Sequence, residues 1–244
     1  MSFFSPLPFS DIEQQISSSN RAFELSHHFG FLGGRSLLEV AIRDVFKDRI
    51  TLVSSFGTES AVLLHMISEI DRHLPITFID TRKLFGETLR YADQLTDTLG
   101  LTNLRHIQPD AERVAALDAD GMLFSRDSDL CCEIRKVEPM EKALEGYDAW
   151  ITGRKGFQAN TRNGLPVIED GNGRIKLNPL SRWLKKDLDT YFEAHDLPRH
   201  PLEADGFLSI GCMPCTDRVN PGEDPRAGRW RGQQKTECGI HTRI

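Results

Sequence analysis

A chain of 244 residues is long enough to bury the core of one large domain. Hydrophobic residues make up 39% and charged residues 27%, with no long polar tract or internal repeat, which excludes a disordered chain or a solenoid. The net charge of −6 argues against general nucleic-acid binding, and no apolar run approaches the roughly 18 residues of a membrane span.

Residues 10–28 and 35–48 read as amphipathic helices separated by Gly30, Gly33 and Gly34. Ile50-Thr51-Leu52-Val53-Ser54 is a buried-strand pattern, followed by the polar turn Ser55-Phe56-Gly57-Thr58-Glu59-Ser60 and a helix over 61–67. Such a turn offers the N–H groups of a helix start to an anion, or is an ordinary strand–helix turn with a serine cap. Pro75-Ile76-Thr77-Phe78-Ile79-Asp80 is a second strand, 86–98 a helix, 103–107 a third strand and 110–118 a short helix. A longer helix over 127–144 carries Cys131 and Cys132, and Ala149-Trp150-Ile151-Thr152 is a fourth strand. Alternating strands and helices predict an α/β fold with a mostly parallel sheet and ligands at the strand carboxyl ends. The turns 54–60, 80–83 and 153–162 would then share one rim. Residues 167–169 and 174–177 predict a β-hairpin, and a helix runs from about Trp183 to His195. After Pro198 periodicity is lost among glycines and prolines, which predicts irregular or mobile structure to the end. The whole of 1–244 reads as a single domain whose residues from about 205 form a functional tail.

Five cysteines are too few, and odd in number, for a secreted disulfide scaffold. The N-terminus also lacks the basic and apolar regions of a signal peptide, so a cytoplasmic protein is expected. Four cysteines form two close pairs, Cys131-Cys132 and Cys212-Met213-Pro214-Cys215. Thiolates in such pairs bind metal. Adjacent helical side chains diverge by about 100°, an awkward pair for one tetrahedral zinc. Spacing alone favours a 4Fe–4S cluster and leaves zinc or separate buried thiols open.

Cys238 stands alone on a tail whose last 28 residues (217–244) hold six Arg/Lys against four acids, a balance suited to an anionic small molecule. A thiolate is a sulfur nucleophile that nearby cations favour, and His241, Arg226 and Arg229 are candidates; the bland alternative is an idle terminal thiol. Gly153-Arg154-Lys155 and Arg162 put cations in one strand-end loop, suited to oxyanions unless they merely form a solvated face. Lys136 lies four residues after Cys132, on the same helix face.

Together these residues resemble the assimilatory adenylyl-sulfate/phosphoadenylyl-sulfate reductase family. The resemblance runs from about residue 50 to the C-terminus through Ser55-Phe56-Gly57-Thr58-Glu59-Ser60, Asp80-Thr81, Cys131-Cys132-Glu133-Ile134-Arg135-Lys136, Gly153-Arg154-Lys155, Thr161-Arg162, Gly211-Cys212-Met213-Pro214-Cys215 and Glu237-Cys238-Gly239-Ile240-His241. It implies a PP-loop adenine-nucleotide-binding fold. The cysteine pairs resemble those of the branch that carries one 4Fe–4S cluster per subunit and prefers adenosine 5′-phosphosulfate (APS) over its 3′-phosphorylated form (PAPS). By that resemblance Cys238 would attack the sulfur of APS, expel AMP and become an S-sulfocysteine. Thioredoxin, or a glutaredoxin-like thiol, would then release sulfite. Ser55, Gly57 and Glu59 would lie near the nucleotide or its phosphate, Arg162 at the phosphate, and Lys136, Arg226, Arg229 and His241 at the phosphosulfate. Where the family has glycine after Asp-Thr this chain has Arg82, so the loop changes conformation or Arg82 adds a contact. The alternatives are a PAPS reductase, an ATP-using PP-loop sulfur-transfer enzyme, and a non-catalytic redox sensor. Homo-oligomerisation stays open.

Overall fold

The apolar run beginning at Ile50 becomes the centre of a sheet. The computed structural model describes residues 9–158, 164–233, 235 and 237–243. Helix α1 (Phe9–Phe29) precedes α2 (Gly34–Val40), which widens into a π turn at Ala41–Val45. The helix expected to reach residue 48 stops there, and Asp48 turns the chain with a φ of 60°. The elements β1 (Ile50–Ser54), α3 (Ser60–Ser68), β2 (Ile76–Ile79), α4 (Gly86–Leu99) and β3 (Leu104–Ile107) come next in the expected alternation. After them lie α5 (Ala111–Leu117), α6 (Leu123–Arg126), α7 (Ser128–Cys132) and α8 (Glu138–Ala143).

The expected single helix over 127–144 is thus interrupted by a π turn at Glu133–Val137. Pro139, in the first turn of α8, has no N–H to donate, and its ring crowds the carbonyl four residues back. Widening the preceding turn relieves that crowding, and such turns recur at functional sites.

β4 (Ala149–Ile151) leads to the hairpin β5 (Ile168–Asp170) and β6 (Ile175–Leu177), then to α9 (Lys185–Ala194). The C-terminal stretch is irregular, as expected, but it is bonded into the molecule. Met213 N–H donates to Lys83 O at 2.8 Å, and the Thr58 hydroxyl donates to Leu208 O at 3.2 Å. A short helix, α10 (Ile240–Arg243), ends it.

The sheet order is β3-β2-β1-β4-β6-β5, parallel throughout except for the edge strand β5. Period-two alternation divides the apolar residues between two faces. Ala149 and Ile151 join the main core with α3 and α4, whereas Trp150 faces Ile79, Val137, Met140 and Leu144 on the other side. Chain order reverses between β1 and β4, where the connections depart to opposite sides and leave a crevice beyond the strand carboxyl ends. Among the described residues no helix is long and apolar enough to cross a membrane.

Candidate active site

That crevice is a cavity of about 230 Å³ at the ends of β1, β2 and β4. Its floor is the turn after β1. Ser54 Oγ accepts the Phe56 N–H at 3.2 Å, and Phe56 itself takes a φ of 48°. A bulky residue in the left-handed region is strained, and here core burial offsets the cost: the ring is fully buried, edge-on to Phe78 at 4.8 Å. Ser55, Gly57 and Glu59 then line the cavity in front of α3. Glu59 Oε2 lies 2.9 Å from Lys155 Nζ and accepts from Gln158 Nε2 at 2.7 Å. Arg154 pairs with Glu169. Lys155 and Arg154, in the loop read as either an oxyanion site or a solvated face, therefore have internal carboxylate partners. Arg162 lies outside the described residues.

The rim expected from the sequence is assembled, with Thr81 from the β2 end and Gly153 from the β4 end joining the turn. Asp80 does not line the cavity, and its carboxylate accepts from Arg82 N at 2.9 Å and Gln108 Nε2 at 3.2 Å. Arg82 keeps its loop turned with a φ of 60°, its side chain exposed, so an arginine adopts the backbone conformation that suits glycine.

The tail closes the cavity from the other side with Arg226, Arg229, Cys238 and His241, while Lys136 enters from the π turn. Arg226 pairs with Glu237 at 3.2 Å. Arg229 lies over the buried Trp230 ring at 4.4 Å and donates to Cys215 O at 3.3 Å. Gly211 permits this path, because a Cβ there would strike the Arg229 guanidinium. His241 stacks on Trp150, with centroids 5.8 Å apart and planes within 2°.

Cys131, Cys132, Cys212 and Cys215 line a second, smaller cavity, and Cys212 and Lys136 border both. Burial, then neighbouring Cys132 and Cys212, push the Cys131 thiol up to about 11. Burial also raises Cys132 and Cys215. It would raise Cys212 too, but Lys136, the Thr81 hydroxyl 3.1 Å away and Arg229 outweigh it and bring that thiol down. Burial would depress the Lys136 ammonium, yet Cys212, Cys238 and Cys132 hold it above its ordinary value. Among the described residues no three metal-binding side chains converge as one ion requires. Four soft donors spread around one cavity, with buried cations to offset their charge, do fit a thiolate-held iron–sulfur cluster.

A buried ion pair holds this wall. Arg135 Nη2 donates to Asp118 Oδ2 at 2.6 Å and Arg135 Nη1 to Thr81 O at 2.9 Å, which leads on to Cys212. The two side chains are 5% and 0% exposed. Burial would raise the Asp118 carboxyl, but the Leu123 N–H and Arg135 hold it below the usual carboxylate range. Its stabilisation is therefore present above the unfolded carboxyl value and lost as pH falls through the lowered one. Arg135→Met strands the buried carboxylate and should cost about 3–5 kcal/mol in urea unfolding. An unchanged midpoint and slope would show that the pair carries no stability. The pairing was not read from the sequence: Arg135 stands in a motif but was given no role, and a lone Asp118 17 residues away leaves no local pattern.

Residues 49–218 match the phosphoadenosine phosphosulfate reductase domain. A protein named adenosine 5′-phosphosulfate reductase from Chelativorans sp. (strain BNC1) is 52% identical over 228 residues, 93% of either chain. One of the same name from Mesorhizobium japonicum is 51% identical over 91% of this chain and 87% of its own. The crystal structure of phosphoadenylyl-sulfate reductase from Candida auris, a phosphate complex, superposes with a TM-score of 0.68 at 28% identity. That match covers 82% of this chain and 97% of the other.

Proposed function

Since the chain belongs to the phosphoadenosine phosphosulfate reductase family, we propose that it reduces APS to sulfite and AMP in assimilatory sulfate reduction. Its sheet is of the PP-loop nucleotide-binding type. The observation that carries the reading is one cleft holding Cys238, Lys136, Arg226, Arg229 and His241 opposite the Ser/Gly turn of β1.

The Cys238 thiolate attacks the sulfur of APS; an S–S bond forms, the S–O bond to AMP breaks and AMP leaves with the electron pair. Ser55, Gly57 and Glu59 serve the nucleotide end, with Arg162 at the phosphate. Lys136, Arg226, Arg229 and His241 face the phosphosulfate. Charge grows on the departing phosphate, so cations aimed there stabilise the transition state more than the ground state. A thioredoxin-like dithiol then attacks Cys238 Sγ and sulfite departs. The second thiol resolves the mixed disulfide, so both electrons come from the reductant.

Cys131, Cys132, Cys212 and Cys215 would hold a 4Fe–4S cluster, which supplies local charge and rigidity beside Lys136. A cytoplasmic location follows from the same reading, since thiolate ligands and a thiol nucleophile need a reducing compartment.

Anaerobic, reduced protein mixed with APS, without thioredoxin, should gain one sulfonate by intact mass, and PAPS should react more slowly. Faster reaction with PAPS would reassign the substrate. No adduct from either, with the cluster present by its visible absorbance, would shift the reading to an ATP-using PP-loop enzyme.

A further inference from the structure

Lys176 occupies a position where a lysine is costly. It sits mid-strand in β6, 3% exposed, between Trp150 of β4 and Glu169 of β5 in register. Burial and then Arg154 push its ammonium down to about 7, with Asp170 opposing. Neither the cleft nor the cysteine cavity uses it, because Lys176 lines neither.

What it touches is the C-terminus. Lys176 Nζ lies 4.9 Å above the Trp150 ring and donates to the His241 carbonyl at 3.3 Å. The His241 ring lies flat on the same indole, and Ile240 packs against the apolar group around Trp150. Ring, carbonyl and apolar side chain of one short helix are thus received at one place on the sheet. On the other flank of Cys238, Lys235 Nζ donates to Ser128 O at 2.8 Å and Asp129 Oδ1 at 2.7 Å, at the start of the helix that carries Cys131. Cys238 is held between two anchors.

We propose that Lys176 is a positioning residue: with Trp150 it forms a seat for the C-terminal helix, and occupancy of that seat sets where Cys238 lies. The inference rests on Cys238 being the nucleophile proposed above. A four-residue helix is too short to hold itself together in water, so its place depends on the surface that receives it. Sulfonation needs the tail seated, whereas reduction of the adduct needs Cys238 to reach a second protein, so a seat built on a hydrogen bond and packed side chains of a short helix is suited to reversible use.

The test uses the full-length, cluster-loaded protein under anaerobic conditions, with iodoacetamide alkylation of Cys238 followed by peptide mass in the absence of nucleotide. Lys176→Met should raise the Cys238 labelling rate roughly tenfold, the scale of one lost hydrogen bond to a charged donor. It should slow single-turnover sulfonation by APS to a similar degree and leave cleavage of preformed adduct by dithiothreitol no slower. Global unfolding should not move to lower temperature, because methionine removes a buried charge. That separates positioning from a merely structural role, in which Tm and labelling would shift together. Labelling and sulfonation both unchanged would overturn the seat. If Lys176→Met does not fold, Ile240→Ala alters only the tail side and should raise labelling in the same way; unchanged labelling there overturns the proposal equally. A wild-type protein sulfonated by neither nucleotide would remove the proposed reaction, while the labelling would still judge the seat.

Discussion

Replacing Cys238 with serine should abolish the sulfonate adduct and lower sulfite release by roughly 10⁴–10⁶-fold, the range seen when a covalent nucleophile is removed. A serine hydroxyl is a far poorer nucleophile toward sulfur than a thiolate, and an O-sulfonate has no S–S bond for a dithiol to attack, so it could not be reduced to sulfite. Cys212 also borders the cleft but is 6% exposed and belongs to the cysteine cavity, so it is no substitute. The fold should be unaffected, since Cys238 is only half-buried and joins none of the hydrophobic clusters. Visible absorbance of the cluster should persist as well. Cys131→Ser should differ on that last point, losing cluster absorbance and stability together. Anaerobic sulfite release measured beside intact mass distinguishes the two variants. Sulfonation that persists in Cys238→Ser would place the covalent step on another residue.

Much of this site was legible in the sequence because its parts are local patterns. A buried strand, a Ser/Gly turn and a helix appear in succession at 50–68, and their register alone brings the turn to the rim. Cysteine pairs are equally local, and all four line one cavity. The π turn at Glu133–Val137 had a visible cause in Pro139, but the effect of a proline on the turn before it is not a periodicity. Contacts between distant segments were not readable. Nothing near Glu59 announces Lys155, so the pairing of two cations of that basic loop with internal carboxylates was not readable. Lys176 carried a faint signal, a lone charge in an Ile-Lys-Leu strand with both neighbours buried. Its contact with the C-terminal helix lies 65 residues away in sequence and leaves no local pattern. The expected irregularity of the tail arose from its glycines and prolines; its contacts with Trp150, Lys176 and Asp129 are to residues of other elements.

Lys136→Met should slow the sulfonation half-reaction by about 10²–10³-fold, comparable to the loss of one preorganised donor from an active site. Lys136 is 7% exposed and is held in its charged form by Cys212, Cys238 and Cys132, against the cost of burial. A cation kept desolvated at that cost acts at low local dielectric, where its field on a departing phosphate is strongest. Arg226 is partly satisfied by Glu237, and Arg229 is engaged with Trp230 and Cys215 O, so their loss should be felt less than that of Lys136. The defect should fall mainly on the rate of adduct formation and little on nucleotide affinity, because the charge Lys136 meets develops during S–O cleavage. Rapid-quench intact mass at several APS concentrations separates the two, and an equal rise in half-saturation with an unchanged maximal rate would make Lys136 a binding residue only. The proposed cluster must be followed in the same samples, since methionine also removes the cation that brings Cys212 down. If cluster absorbance survives while adduct formation falls, the lysine acts on the substrate side of the wall it shares with the cysteines. If absorbance and rate fall together in proportion, its service to catalysis runs through Cys212.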